Sequence, residues 1–124
     1  MWSRVVEFML GLWMAASPFI FGHDSAKPEY WYADFAAATI VIMCSMLSYW
    51  EPTRHAHLGT VLAGLGLIGF GFLAPTPPPA AAQNEIIVGL LLAMMAIIPN
   101  EASEPPRQWR EIEVAQWRVD LHKR

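Results

Sequence analysis

The sequence predicts an all-α fold: an integral membrane four-helix bundle built from two tandem transmembrane helix pairs. Three observations carry that expectation. The 124 residues are 55% hydrophobic and 15% charged, whereas a soluble domain carries about 25% charged residues. Charge is confined to the chain ends and two short islands, with no Lys or Arg between Arg54 and Arg107. Four apolar windows recur, each close to the about 20 residues that cross a ~30 Å hydrocarbon core as a helix.

The first span covers about residues 5–22 and ends in AASPFIFG, Ala15–Gly22. Proline lacks a backbone N–H and clashes one turn back. Ser17-Pro18-Phe19 is therefore expected to close the helix near the non-cytoplasmic surface, with Phe19 and Phe21 at the interface. Met14-Ala15-Ala16 lacks the small-x-small pattern of a cleavage site, so the segment reads as a retained helix. The second span, about 31–50, is bracketed by Trp31, Tyr32, Tyr49 and Trp50, rings that prefer the membrane–water boundary. The third covers about 57–74. The fourth covers about 80–98 and stops at Pro99; its purely apolar part is only Ile86–Ile98, so it must reach back through Gln83-Asn84-Glu85.

The connections HDSAKPE, EPTRHA and PTPPP are short, which favours antiparallel neighbours in an up-down-up-down order. The last is expected to be a stiff extended turn. Residues 1–52 thus form one helix pair, 53–100 a second, and 101–124 a tail. Arg4, Arg54, Arg107, Arg110, Arg118, Lys123 and Arg124 would share one side of the membrane, leaving Lys27 opposite. Basic residues favour the cytoplasmic side, so both termini and the middle loop are expected there. The tail, QWREIEVAQWRVDLHKR, has no single apolar stripe: Trp109 and Ile112 fall on one side of a helical wheel, Trp117 and Leu121 on another. It reads as a short interfacial helix or an extended arm, with Trp109 and Trp117 touching headgroups or a partner.

The halves of the chain resemble each other. Shifted by 53 residues, Leu12–Gly22 lies over Leu65–Pro75; shifted by 50, Ala33–Glu51 lies over Gln83–Glu101. Asp34 then meets Asn84 and Glu51 meets Glu101. Each unit is a helix pair, so the repeats run parallel rather than inverted. LGLWMAASPFIFG followed by NEIIVGLLLAMMA resembles the SPW repeat family of small bacterial membrane proteins, whose helix pair carries a Ser-Pro-Trp signature. Here the signature stands as Ser17, Pro18 and Phe19, with an aromatic in place of the tryptophan. The Asn-x-x-x-x-Gly element of the second helix is Asn84 and Gly89, with Asp34 and Thr39 as a degenerate copy. The second repeat carries Gly69-Phe70-Gly71 in place of Ser-Pro. The resemblance covers about residues 5–100 and implies the fold and a bacterial inner membrane; it brings no activity with it.

Function has to be read from individual residues. A net charge of −3 and the lack of a basic stripe argue against nucleic acid. The single Cys44 excludes an intramolecular disulfide and a multi-cysteine metal site. Small residues recur at spacings of three or four, as Gly11/Ala15, Gly59/Ala63/Gly66 and Gly89/Ala93/Ala96; such stripes let membrane helices approach closely. Ionisable residues within spans are functional candidates, here Glu7, Asp34 and Glu85. All three fall near span ends, where they are expected to reach headgroups and water. His23, His55, His57 and His122 lie away from mid-span and are expected to be solvated or interfacial. No Ser-His-Asp set, HExxH or phosphate loop occurs, so no catalytic, cofactor-binding or metal-binding residue is assigned. The expected role is a non-enzymatic accessory subunit packed in the lipid bilayer against other membrane protein subunits, in a photosynthetic or respiratory complex. The alternatives are a small transporter or channel working as a homo-oligomer, and a pigment- or quinone-binding subunit.

Overall fold

The computed structural model describes residues 2–74, 79–100 and 106–123. The expected Pro-rich turn falls largely on residues 75–78, and Glu101 of the repeat match also lies outside the described residues. The described chain is helical, with no strand: α1 Trp2–Ile20, α2 Pro28–Leu47, α3 Leu58–Phe72, α4 Ala80–Ile97 and α5 Arg107–His122, with a 3₁₀ turn at Glu51–Thr53.

Pro18 does not end α1. It lies inside the helix, which continues to Ile20. Ser17-Pro18-Phe19 therefore does not close the helix; Gly22, the last residue of the expected 5–22 span, does so, and among the described residues it is the one with positive φ, at 59°. There the His23 N–H reaches back to the Pro18 carbonyl at 3.1 Å and the Phe21 N–H to that of Ser17 at 2.9 Å. A left-handed glycine with this bond back to the last turn is a common helix ending. Proline one turn earlier loses only its own bond to the Met14 carbonyl, so the helix tolerates it. The second helix starts with Pro28 in its first turn, where a missing N–H goes unneeded. Its last carbonyls are taken up by side chains: Ser48 donates to Cys44 at 2.7 Å and Thr53 to Leu47 at 2.7 Å. As expected from its composition, α4 reaches back through Gln83-Asn84-Glu85 to Ala80.

The closest helix pairings are α3 with α4 and α1 with α2, and contacts of α2 with α3 and α1 with α4 close the cycle. Neighbours run antiparallel. The start of α1 meets the end of α4 where Arg4 bonds Met95 and Ile98, and the end of α1 meets the start of α4 where Asn84 bonds Ser17. The two halves repeat a close approach. A side chain at Gly11 would meet Ile42 and the Ala38 carbonyl; one at Gly64, 53 residues on, would meet Leu92 and the Gly89 carbonyl.

Between the helices the layers alternate. Met14, Val41, Leu67, Val88 and Leu92 form an apolar middle. On one side of it lie Ser3, Arg4, Glu7, Ser45 and Thr60, and on the other Ser17, Asp34 and Glu85, all buried. The outside is the reverse, with Met9, Leu12, Phe19, Ile40, Leu62, Phe72, Met94 and Ile97 exposed. Helices α2 and α4 are long and apolar enough to cross a membrane, while α3 is apolar but only 15 residues long.

Candidate functional site: two buried polar layers

The three acids expected to reach water are inside. Glu7 and Asp34 are 0% exposed and Glu85 is 1% exposed. What decides this is the helix face, not the distance from a helix end: each acid shares a stripe with the residues that pack between helices. On α1 the buried set is Ser3, Arg4, Glu7, Gly11, Met14, Ser17 and Pro18. On α4 it is Ala82, Glu85, Val88, Gly89, Leu92 and Ala96. Steps of three and four keep such residues on one side of a helix.

The first layer joins the N-terminus of α1 to the C-terminus of α4. The Arg4 guanidinium sits 2.8 Å from Glu7 Oε1, one turn along, and both side chains are sealed from solvent. Its other nitrogen donates to the carbonyls of Met95 at 2.8 Å and Ile98 at 2.6 Å. These carbonyls lie at the C-terminal, negative end of the α4 dipole, where a cation is stabilised, and that of Met95 also accepts from the Ile98 N–H at 3.2 Å. A buried charge is tolerable only when paired and hydrogen-bonded, and Arg4 has both kinds of partner. Asn100 fastens the same end, donating to Ser48 at 3.1 Å and Arg54 at 3.0 Å. His57, expected to be solvated, is buried beside it with Nδ1 at 2.8 Å from the Arg54 carbonyl. Thr60 Oγ1 has no hydrogen-bond partner among the described residues.

The second layer gathers the expected signature. Asn84 Nδ2 donates to Ser17 Oγ at 3.1 Å, and Asn84 Oδ1 accepts from the Trp13 indole N–H at 2.9 Å. Ser17 and Pro18 are buried, while Phe19 turns outward and meets Trp31 and Phe35 edge-on, with ring centroids at 5.3 and 6.3 Å. His23 is not solvated either. Its Nε2 lies 2.9 Å from Asp34 Oδ2, with only 3% of its side chain exposed, and the Trp31 indole holds its carbonyl at 3.3 Å. Ser17 of the first repeat thus pairs with Asn84 of the second, so the motif halves recognise each other across the repeat boundary. The SPW repeat domain matches the chain over residues 1–114. The chain belongs to the SPW repeat family. No curated protein and no solved structure matches it.

In this SPW repeat chain, Asp34 occupies the place in the first repeat that Asn84 holds in the second. The position equivalent to Ser17 is Phe70, which cannot accept a hydrogen bond; it stacks edge-on with Tyr30 at 5.3 Å. The degenerate copy therefore draws its partner, His23, from the loop. Thr39 does not join it; it is exposed and donates to Phe35 at 2.8 Å.

The expected packing residues divide. Gly11 faces Ile42, and Gly59 faces the Cys44 thiol. Gly89 meets Gly64, a glycine outside the expected stripes. Ala96 is buried; Ala15 and Ala63 pack at the edge of the core, and the Ala93 amide lies beside Gly64. Gly66 is a correction, because nothing lies within 4 Å of a side chain placed there. It faces outward with Gly59 and Ala63 into a groove of about 490 Å³ between α2 and α3, lined also by Ala33, Ala37 and Phe70. Trp109 and Trp117 lie on α5, both exposed. Among the described residues no group of three His, Cys, Asp or Glu side chains is placed to hold a metal ion.

Proposed function

We propose that this chain is a four-span integral protein of the bacterial cytoplasmic membrane, with both termini cytoplasmic, acting as a non-enzymatic accessory subunit that packs against a larger membrane complex. The observation that carries the subunit role is α5. It is 16 residues long, and every side chain described along it is exposed. Trp109 is 65% and Trp117 71% exposed. Val114, Trp117 and Leu121 form one apolar stripe, and Trp109, Ile112 and Val119 a second on the opposite side, separated by Glu113 and Asp120 on one flank and by Glu111, Arg118 and His122 on the other. A helix lying on a bilayer needs one apolar face and one charged face. Two opposed apolar stripes suit a helix held between protein surfaces.

The membrane part of the reading is supported by the pattern of the helices, which bury polar residues and glycines above and below an apolar middle and expose large apolar side chains outside. Membrane helices associate through small residues and hydrogen bonds because lipid offers no hydrophobic drive. The groove lined by Gly59, Ala63 and Gly66 gives a neighbouring subunit's helix a place to enter. The filled apolar middle, with Met14, Val41 and Leu92 at 0% exposure, favours this role over a channel through a single chain. Photocrosslinking residues placed at positions 109 and 117 in native membranes test the reading. A discrete heteromeric adduct from both positions is expected; adducts to lipid alone would refute it.

A further inference from the structure

We infer that the turn between α2 and α3, with the end of α4, holds the phosphate of an anionic phospholipid. This goes beyond the accessory role and rests only on the membrane part of the reading above. A cavity of about 320 Å³ lies between these segments, lined by Arg54, His55, His57, Leu58, Ile97, Pro99 and Asn100. One wall is polar and basic; the other is apolar and open, with Leu58 53% and Ile97 71% exposed. A soluble anion gains nothing from the apolar wall, and a bare acyl chain gains nothing from the basic one. A phospholipid headgroup with the start of its tail matches both.

The basic wall is held in place by the fold. The Asn100 amide donates to the Ser48 and Arg54 carbonyls at 3.1 and 3.0 Å. His57, itself buried, donates from Nδ1 to the Arg54 carbonyl at 2.8 Å. Arg54 therefore stands on a turn tied to the ends of α2 and α4. Its Nε donates to His55 Nε2 at 3.3 Å, which leaves Nδ1–H as the donor of that ring. A guanidinium, with its planar fork of N–H groups, is the side chain best shaped for a phosphate. Among the described residues no carboxylate lines the cavity. The end of α4 would oppose an anion, because its last carbonyls carry partial negative charge. Arg4 covers two of them, those of Met95 and Ile98, so the buried layer prepares the surface for a negative group. Basic pockets between membrane helices on the cytoplasmic side take up phospholipid headgroups.

The test is native mass spectrometry of the full-length protein, delipidated in mild detergent and titrated with phosphatidylglycerol. One saturable adduct is expected, tighter than with phosphatidylcholine. It should weaken about tenfold or more in R54Q/H55A, as losing a hydrogen bond to a charged group does. K27Q, at the opposite end of α2, should leave it unchanged. Arg54 and His55 are exposed, so the double variant should keep the parent's helical circular dichroism. The proposal is overturned by no adduct, by equal binding of the two lipids, by an adduct that survives R54Q/H55A, or by an equal loss in K27Q. Displacement of the lipid by an equal concentration of inorganic phosphate would also overturn it, assigning the site to a free anion. A chain that stays in solution without detergent refutes the membrane reading, and this proposal with it; the other outcomes leave that reading standing.

Discussion

Replacing Gly89 with alanine adds one methyl group where α3 and α4 are closest. That Cβ would stand 2.6 Å from the Gly64 carbonyl oxygen, 2.8 Å from Ile68 Cγ1 and 3.2 Å from the Ile68 amide. The isoleucine tip can rotate away, but the two backbone atoms cannot. Ordinary contact begins at 3.4 Å, so the helices must part by about 0.8 Å locally. Gaps of that size forfeit a quarter to a half of each dispersion contact along the seam, and overpacking of this kind costs about 1–3 kcal/mol. Alanine is also the better helix former by about 1 kcal/mol, which offsets part of the loss, so a net destabilisation of up to about 2 kcal/mol is expected. Gly66→Ala is the internal comparison, because its Cβ enters open space and keeps only the propensity gain. Unfolding in mixed micelles, followed by circular dichroism as SDS is titrated, should move the two midpoints in opposite directions. Equal shifts, or a Gly89→Ala protein more stable than Gly66→Ala, would refute the packing assignment.

Arg4→Leu should destabilise by about 3–5 kcal/mol, the usual cost of leaving a buried charge unpaired; adding Glu7→Leu should restore most of it, measured in the same SDS titration. Asn84→Ala removes the acceptor of the Trp13 indole and the donor to Ser17, and should cost about 1–3 kcal/mol, with a change in tryptophan emission that Gln83→Ala does not produce. Trp109→Ala with Trp117→Ala should leave the unfolding midpoint of the core within about 0.5 kcal/mol of the parent, as exposed sites usually do, while the photocrosslinked partner band is lost.

The apolar windows located all four core helices to within a few residues, although α4 begins six residues before its purely apolar stretch Ile86–Ile98. The match of Leu12–Gly22 over Leu65–Pro75 begins one residue after Gly11 and Gly64, which the same shift of 53 relates and which both touch the second helix of their own pair. Facing direction was read less well. By depth along a span Glu7, Asp34 and Glu85 are within reach of water, yet Arg4, Glu7, Gly11, Met14 and Pro18 follow helical steps of three and four. That stripe ties the acids to the packing face. On α3 the choice of Gly59/Ala63/Gly66 over Thr60/Gly64/Leu67/Gly71 moved the stripe by one residue, which is about 100° on a helix. Periodicity alone does not choose between them, since both sets recur at steps of four and three. Pro18 is not the stop, since one proline near a helix end is tolerated; the 5–22 window nevertheless ends on the left-handed Gly22 that closes α1.

The most direct measurement of the central claim is the mass of the particle extracted from native membranes in mild detergent, with its components identified by mass spectrometry. An accessory subunit elutes with larger membrane proteins in fixed ratio and separates from them when Trp109 and Trp117 are replaced. A homogeneous particle containing this chain alone, unchanged by those replacements, would contradict the account.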